Sequence, residues 1–291
     1  MQRFLVGLAM LAASTAGAQT VLQLPASTRA LGLGNAFAAG RGSEMIFYNP
    51  ALLNQQPGLH VSGQRIGDAS SLGAISSSFS AGPIAAGVGA QFLDYGASGF
   101  RAGNLATRGS IAASSLAASL GVSSQFKGVR VGVAAKFVEE RLGLLRDGGA
   151  AFDIGLARDF PFRSTVGLAV QHLGNSLHIV DQRLALPAQT TLGAATSAPP
   201  LFTFFDVAAT AAVTYRHDGH WVPAGGVEVT YVPLDGWAFT GRVGARRVAD
   251  DFGAKPLTLG AGIGFDRIGL DYAWHGMDGD VSAHRIGLRL R

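Results

Sequence analysis

The sequence predicts a transmembrane β-barrel of about fourteen antiparallel strands with an N-terminal plug segment. Three observations predict it. Apolar residues alternate with polar or small ones over much of the chain after Pro57. The connections between these runs switch between tight turns and long loops. The composition is 48% hydrophobic and only 14% charged, with 41 Gly, yet no run reaches the roughly 20 apolar residues that a spanning helix needs. A barrel reconciles the two, because only alternate residues of each strand face lipid.

The chain of 291 residues opens with a secretory signal pattern over 1–18. Arg3 supplies the positive region, Phe4 to Ala13 the apolar stretch, and Ala16-Gly17-Ala18 a small-residue cleavage site before Gln19. The mature chain is thus expected to begin near Gln19 and to leave the cytoplasm. Cys is absent, which excludes disulfides and thiolate chemistry. The net charge is +4 and the sequence pI about 9.8. The arginines are scattered and the chain reads as exported, so nucleic acid is not an expected partner; outer-membrane lipid phosphates are.

Residues 19–57 read as the plug. The stretch from Ala30 to Leu53 is rich in Gly and small residues and lacks strand alternation, and its Asn49-Pro50 is a turn signal. Residues 58–291 read as the barrel. Strands of the roughly 9–11 residues a tilted membrane strand needs are expected near 58–66, 72–80, 83–93, 115–126, 128–139, 150–160 and 163–172. Seven more are expected near 188–196, 205–216, 221–232, 236–247, 256–265, 267–275 and 282–290. Val129, Val131, Val133, Ala135 and Phe137 share one face of such a run, with Arg130, Gly132, Ala134 and Lys136 on the other.

Ala81-Gly82, Lys127-Gly128, Pro161-Phe162 and Asp266-Arg267 read as tight turns, and 94–114 and 173–187 as long loops. This asymmetry is the outer-membrane pattern and puts both termini on the periplasmic side. Aromatic residues gather near strand ends: Phe126, Phe160, Phe162, Tyr231, Trp237 and Phe265 as a periplasmic girdle, and Phe92, Tyr95, Phe137, Tyr215, Trp221 and Trp274 as an outer one.

Alternation aims Arg130, Lys136, Asp153, Asp206, Arg216, Glu228, Arg242, Asp271, Arg285 and Arg289 into the lumen. Opposed residues in a hairpin have a constant number sum, which pairs Lys136 with Asp153, Glu228 with Arg242 and Asp271 with Arg285. The surplus of basic groups suits a carboxylate head group as well as a merely structural polar lumen.

The stretch also carries a resemblance. Ala30, Leu31, Gly32, Gly34, Ala36 and Phe37, followed by Asn49, Pro50, Ala51 and Leu53, resemble the N-terminal signature of the FadL-type outer-membrane transporter superfamily, and more closely its shorter PorV/PorQ-like branch. Asn35 falls inside the same motif. The paired acids of the family's spacer are replaced by Arg41-Gly42-Ser43-Glu44, and Leu52 stands where the family has Gly. His284 to Arg291 resembles the family's closing strand, which the barrel-insertion machinery reads, without its final aromatic residue. The resemblance implies passive uptake of hydrophobic, fatty-acid-like molecules across the bacterial outer membrane. It also implies an inward kink of the third strand beside a lateral opening, for which Gly82, Pro83, Gly87 and Gly89 are suited. The PorV-like alternative is a barrel that docks protein partners or cargo of a type IX secretion system.

Little else suggests chemistry. Gly32-Leu33-Gly34 lacks the third Gly of a dinucleotide turn, and Gly260 to Gly264 has the period of a strand. His217-Asp218-Gly219-His220 offers two imidazoles, short of the three or four ligands of a metal site, and reads as a polar outer turn. No compact nucleophile motif is present. The expectation is a non-enzyme without metal or cofactor.

Overall fold

Period-two alternation builds the wall. On one strand Val131, Val133 and Phe137 are exposed while Arg130, Ala134, Lys136 and Val138 are buried. Since neighbouring residues of a strand point to opposite faces, one face meets lipid and the other the interior. The computed structural model describes residues 20–67, 70–101, 108–179, 182–198, 204–247, 254–277 and 281–291. The signal pattern at 1–18 lies outside the described residues.

The first seven strands are β1 (Gly58–Ile66), β2 (Ser70–Ala81), β3 (Ile84–Arg101), β4 (Arg108–Phe126), β5 (Val129–Leu142), β6 (Leu145–Phe160) and β7 (Ser164–Gly174). A small ladder of β8 (Leu177–Ile179) and β9 (Gln182–Leu184) follows. The wall resumes with β10 (Gln189–Ser197), β11 (Phe205–Arg216), β12 (Trp221–Tyr231) and β13 (Trp237–Arg246). It ends with β14 (Ala254–Phe265), β15 (Ile268–Met277) and β16 (Ser282–Leu290). Fourteen of these form one closed barrel, each antiparallel to its sequence neighbour, with β7 pairing β10 and β16 pairing β1. Closure gives each strand of the barrel a partner on both sides and leaves the barrel itself no edge.

Two expected loops are corrected. The stretch 94–114 is mostly strand: β3 runs on to Arg101 and β4 begins at Arg108. Beyond Asp94, β3 pairs with β4 alone, past a bulge between Asp94 and Ala97 where Gly96 takes φ 76°. Its Gly and Ser content reads as loop, but an arm beyond the rim needs only its own partner strand. In 173–187 the ladder of β8 and β9 covers the wall, with Leu177 buried against Gly149. The girdle is corrected too: alternation puts Tyr95 on the inward face of Gln91 and Leu93, opposite Phe92, and it packs on the cluster that holds Leu72 and Leu93. The other outer-girdle residues stay outside, Tyr215 against Trp221 at 4.8 Å. At the opposite rim Trp237 packs on Phe265 at 4.9 Å.

The N-terminal segment lies inside the wall. It has helical turns at Thr20–Gln23 and Thr28–Gly32 and 3-10 turns at Ser43–Phe47 and Pro50–Leu52. Ser27 caps the second, its Oγ accepting from the Ala30 N–H at 3.2 Å. Asn49 is extended, as a residue before Pro must be, and its Oδ1 accepts from the Ala51 N–H at 3.1 Å. Ala30, Leu31, Met45, Ile46, Ala51, Leu52 and Leu53 are almost wholly buried.

Candidate functional site in the lumen

The wall receives the segment through glycines. A Cβ on Gly132 would stand 2.3 Å from the Pro50 carbonyl carbon, and one on Gly155 2.1 Å from Asn49 Oδ1. Asn49 Nδ2 donates to Ala38 O at 2.9 Å and to Leu156 O on the wall at 3.2 Å. The motif residues Asn49, Pro50 and Ala51 thus sit against β5 and β6. At the other end Gly34 takes φ 66°, and a Cβ there would lie 2.6 Å from Ala245 O. Gly32 approaches Gly260, and Asn35 continues the turn at φ 64°. Phe37 packs edge-on against Tyr48 at 5.2 Å.

The kink expected at Gly82, Pro83, Gly87 and Gly89 is corrected. Gly82 and Pro83 form the β2–β3 turn, and β3 pairs without a shift from Ile84 to Asp94 on both sides. Gly87 and Gly89 face inward and make room for Leu53 and Phe47, each within 2.6 Å of where a Cβ would be. They are smooth because the segment packs on them, not because the wall opens there.

The lumen charges sort into separate clusters. Glu228 and Arg242 are directly opposite and bonded at 2.5 Å, the expected pair. Arg242 also donates to Asp271 at 2.7 Å, and Arg289 Nε reaches the same carboxylate. Lys136 bonds Asp153 at 2.6 Å, but the register differs from expectation by two: Lys136 faces Ala151, and Asp153 faces Ala134. The pair forms on a diagonal. Arg130 takes Asp159 in a fork at 2.5 and 2.7 Å. Arg216 bonds Asp218 at 2.9 Å, and Asp206 lines the short-turn mouth.

The expected pair of Asp271 with Arg285 is corrected. Both are buried on adjacent strands, but Asp271 faces Gly287 and Arg285 faces Ala273. Arg285 instead donates to the Pro25 and Ala26 carbonyls, to Ser62 and to Gln64. It anchors the segment where a cation–carboxylate pair was expected.

Several contributors escaped the sequence reading. The Tyr48 hydroxyl accepts from the Ala26 N–H at 2.9 Å and the Ser27 N–H at 3.2 Å. Glu44, the remaining acid of the spacer, accepts from Ser27 Oγ. Arg29 bonds Glu228 at 2.7 Å, and Gln171 donates to Phe47 O at 2.8 Å. Only the acid of the spacer had a sequence signal, through the family pattern; the rest depend on which wall residue the segment meets.

Space remains on both sides of the segment. A cavity of about 90 Å³ lies toward the long-loop rim, lined by Leu22, Leu24, Tyr48, Gln91, Gln171 and Thr214 among others. One of about 400 Å³ opens at the short-turn rim. On the β2–β6 side of that rim the inner wall carries an apolar patch. Leu72, Leu93, Ala117, Val138 and Ala151 from β2–β6 form one patch, covered by Val21 and Leu22.

No family model matches the sequence, and no curated protein matches it. Solved structures do share its fold. The Pseudomonas putida toluene transporter TodX superposes with a TM-score of 0.61 at 11% identity, covering 89% of this chain and 95% of its own. The monoaromatic hydrocarbon channel CymD gives 0.63 at 14% identity, covering 94% and 97%. A Pseudomonas aeruginosa FadL homologue gives 0.57 at 13%, covering 94% and 99%. At these identities the likenesses show a shared barrel fold and lend nothing to the PorV/PorQ branch. The closed wall and its apolar outer face define an outer-membrane β-barrel.

Proposed function

We propose that this barrel conducts hydrophobic small molecules passively across the outer membrane, with residues 19–57 as its plug. The observation that carries this reading is the apolar patch of Leu72, Leu93, Ala117 and Val138 inside the wall. A lumen built only for water and ions has no use for inward-facing leucines, whose burial from water is worth about 1.5–3 kcal/mol each. On the β2–β6 side the patch offers an apolar surface, while charges on the β12–β16 side hold the plug in place. Val21 and Leu22 occupy that surface as a ligand would. The named functions of TodX and CymD support the same reading.

The test is uptake of toluene by cells with intact lipopolysaccharide, where the outer leaflet limits entry. Cells carrying the barrel should accumulate toluene faster than cells without it, and Leu93→Glu should remove the difference. Uptake equal with and without the barrel would overturn the reading.

A further inference from the structure

The cavity at the short-turn rim is unlike the rest of the lumen. It lies between the N-terminal segment and the inner faces and turns of the β10–β16 side, with the β6–β7 turn at its edge. Seven arginine and three carboxylate side chains line it. Arg29, Arg242 and Arg289 are paired with Glu228 and Asp271. The remaining lining charges are Arg41, Arg163, Arg267 and Arg291 against Asp206 and Asp266. Arg41 also feels Asp159, but that carboxylate is already held by the Arg130 fork.

Backbone geometry brings these like charges together. Phe162 and Arg163 both take positive φ, 62° and 51°, which is uncommon for residues other than Gly. The turn leaves Phe162 exposed and turns Arg163 to the cavity. The Arg291 N–H donates to Arg267 O at 2.9 Å, which keeps two arginines side by side. Crowding like charges is unfavourable unless an anion answers them. Guanidinium forks match the oxygens of carboxylate and phosphate, and a recess with low-dielectric walls strengthens the field. The volume is that of a small-molecule site.

We infer that the short-turn mouth is a binding site for a small dianionic oxyanion, a phosphate monoester or a dicarboxylate, held between Arg41 of the N-terminal segment and Arg163, Arg267 and Arg291 of the wall. The site is separate from the apolar patch near the opposite rim and does not depend on what crosses the barrel. An anion there joins segment to wall at Arg41.

The test is calorimetric titration of the purified full chain in micelles at low ionic strength, with inorganic phosphate and with succinate. Saturable binding of either supports the site. Tighter phosphate binding assigns the monoester, and tighter succinate binding the dicarboxylate. Arg267→Ser/Arg291→Ser and, separately, Arg41→Ser should weaken binding at least tenfold. Arg158→Ser, whose side chain lies over Phe160 on the outer face, should not. Heat-modifiable migration on gels checks that each variant is folded. Absence of saturable binding, indifference to the cavity variants, or equal competition by chloride at matched ionic strength would overturn the inference.

Discussion

Glu228 and Arg242 stand directly opposite on β12 and β13, and the same carboxylate also receives Arg29 from the N-terminal segment. One acid therefore ties wall strand to wall strand and wall to segment. Both arginines approach it laterally, Arg242 Nε at 2.5 Å and Arg29 Nη2 at 2.7 Å. The wall has a full backbone ladder besides this contact; the segment does not.

Glu228→Gln should therefore loosen the segment more than the barrel. Hydrogen bonds to charged groups contribute about 1.5–3 kcal/mol each, and the adjoining cavity lowers that figure through solvent screening. The expected result is unchanged barrel assembly, with faster proteolysis near residue 41 and higher single-channel conductance in planar bilayers. Unchanged conductance and proteolysis would show that the carboxylate holds only the wall.

Glycine-to-alanine changes on the two faces of the wall should separate packing from folding. A Cβ on Gly155 meets Asn49 Oδ1 at 2.1 Å, and one on Gly244 meets Gly34 N at 2.1 Å. Gly73 and Gly241 face outward, and nothing lies within 4 Å of a Cβ on either. Alanine suits a strand no worse than glycine does, so all four variants should assemble. Gly155→Ala and Gly244→Ala should raise conductance, and Gly73→Ala and Gly241→Ala should not. Equal conductance across the four would mean that the close approach has no bearing on blockage.

The positions of these glycines show what the sequence could and could not reveal. Alternation has period two, so it reports the face of each side chain; Lys136, Asp153, Asp271 and Arg285 all point inward as expected. A register shift of two residues moves no side chain to the other face. The pattern is therefore blind to it, and the Asp271–Arg285 and Lys136–Asp153 registers were each off by two. Glu228 and Arg242 were placed because a short turn around Gly236 leaves little choice of register. The segment's partners were illegible for another reason: Tyr48, Gln171 and Arg285 act across long sequence separations with no periodic signal.

The outer β11–β12 turn should lose local order in acid. Asp218 accepts from the His220 N–H at 3.1 Å, contacts its ring at 3.0 Å, and pairs with Arg216 at 2.9 Å. Partial burial works against its ionisation, but the hydrogen bonds from His220 and the Arg216 charge outweigh it and hold the carboxyl below its ordinary range. A depressed folded-state pKa means the contribution is present above the unfolded value, about 3.9, and fades as pH falls through the lower folded value. Amide protection at Gly219 and His220, taken relative to the intrinsic exchange rate at each pH, should fall only below about pH 4. Loss of protection already at neutral pH would show that the turn does not depend on the Asp218 carboxylate.

The Lys136–Asp153 pair should behave as a buried unit in which the broken pair is worse than no pair. Asp153 is fully buried, Lys136 nearly so, and they meet at 2.6 Å. A bulge builds the site: the β6–β7 register shifts between Phe152 and Ile154, so Asp153 faces both Gln171 and His172, and His172 takes φ 60°. Asp153 Oδ1 accepts from the His172 N–H at 2.9 Å, so the carboxylate also satisfies a backbone donor of the bulge. Lys136→Met removes the cation and leaves the anion in place, which typically costs about 3–5 kcal/mol. Asp153→Asn leaves a buried ammonium and should cost about as much. The double variant Lys136→Met/Asp153→Asn has no buried charge, and its amide oxygen still accepts from the His172 N–H. It should recover most of the loss, giving a strongly non-additive cycle. Urea midpoints of refolding into lipid vesicles read the effect. A double variant as unstable as the sum of the singles would show that Lys136 and Asp153 act independently and that the bulge does not need their pairing.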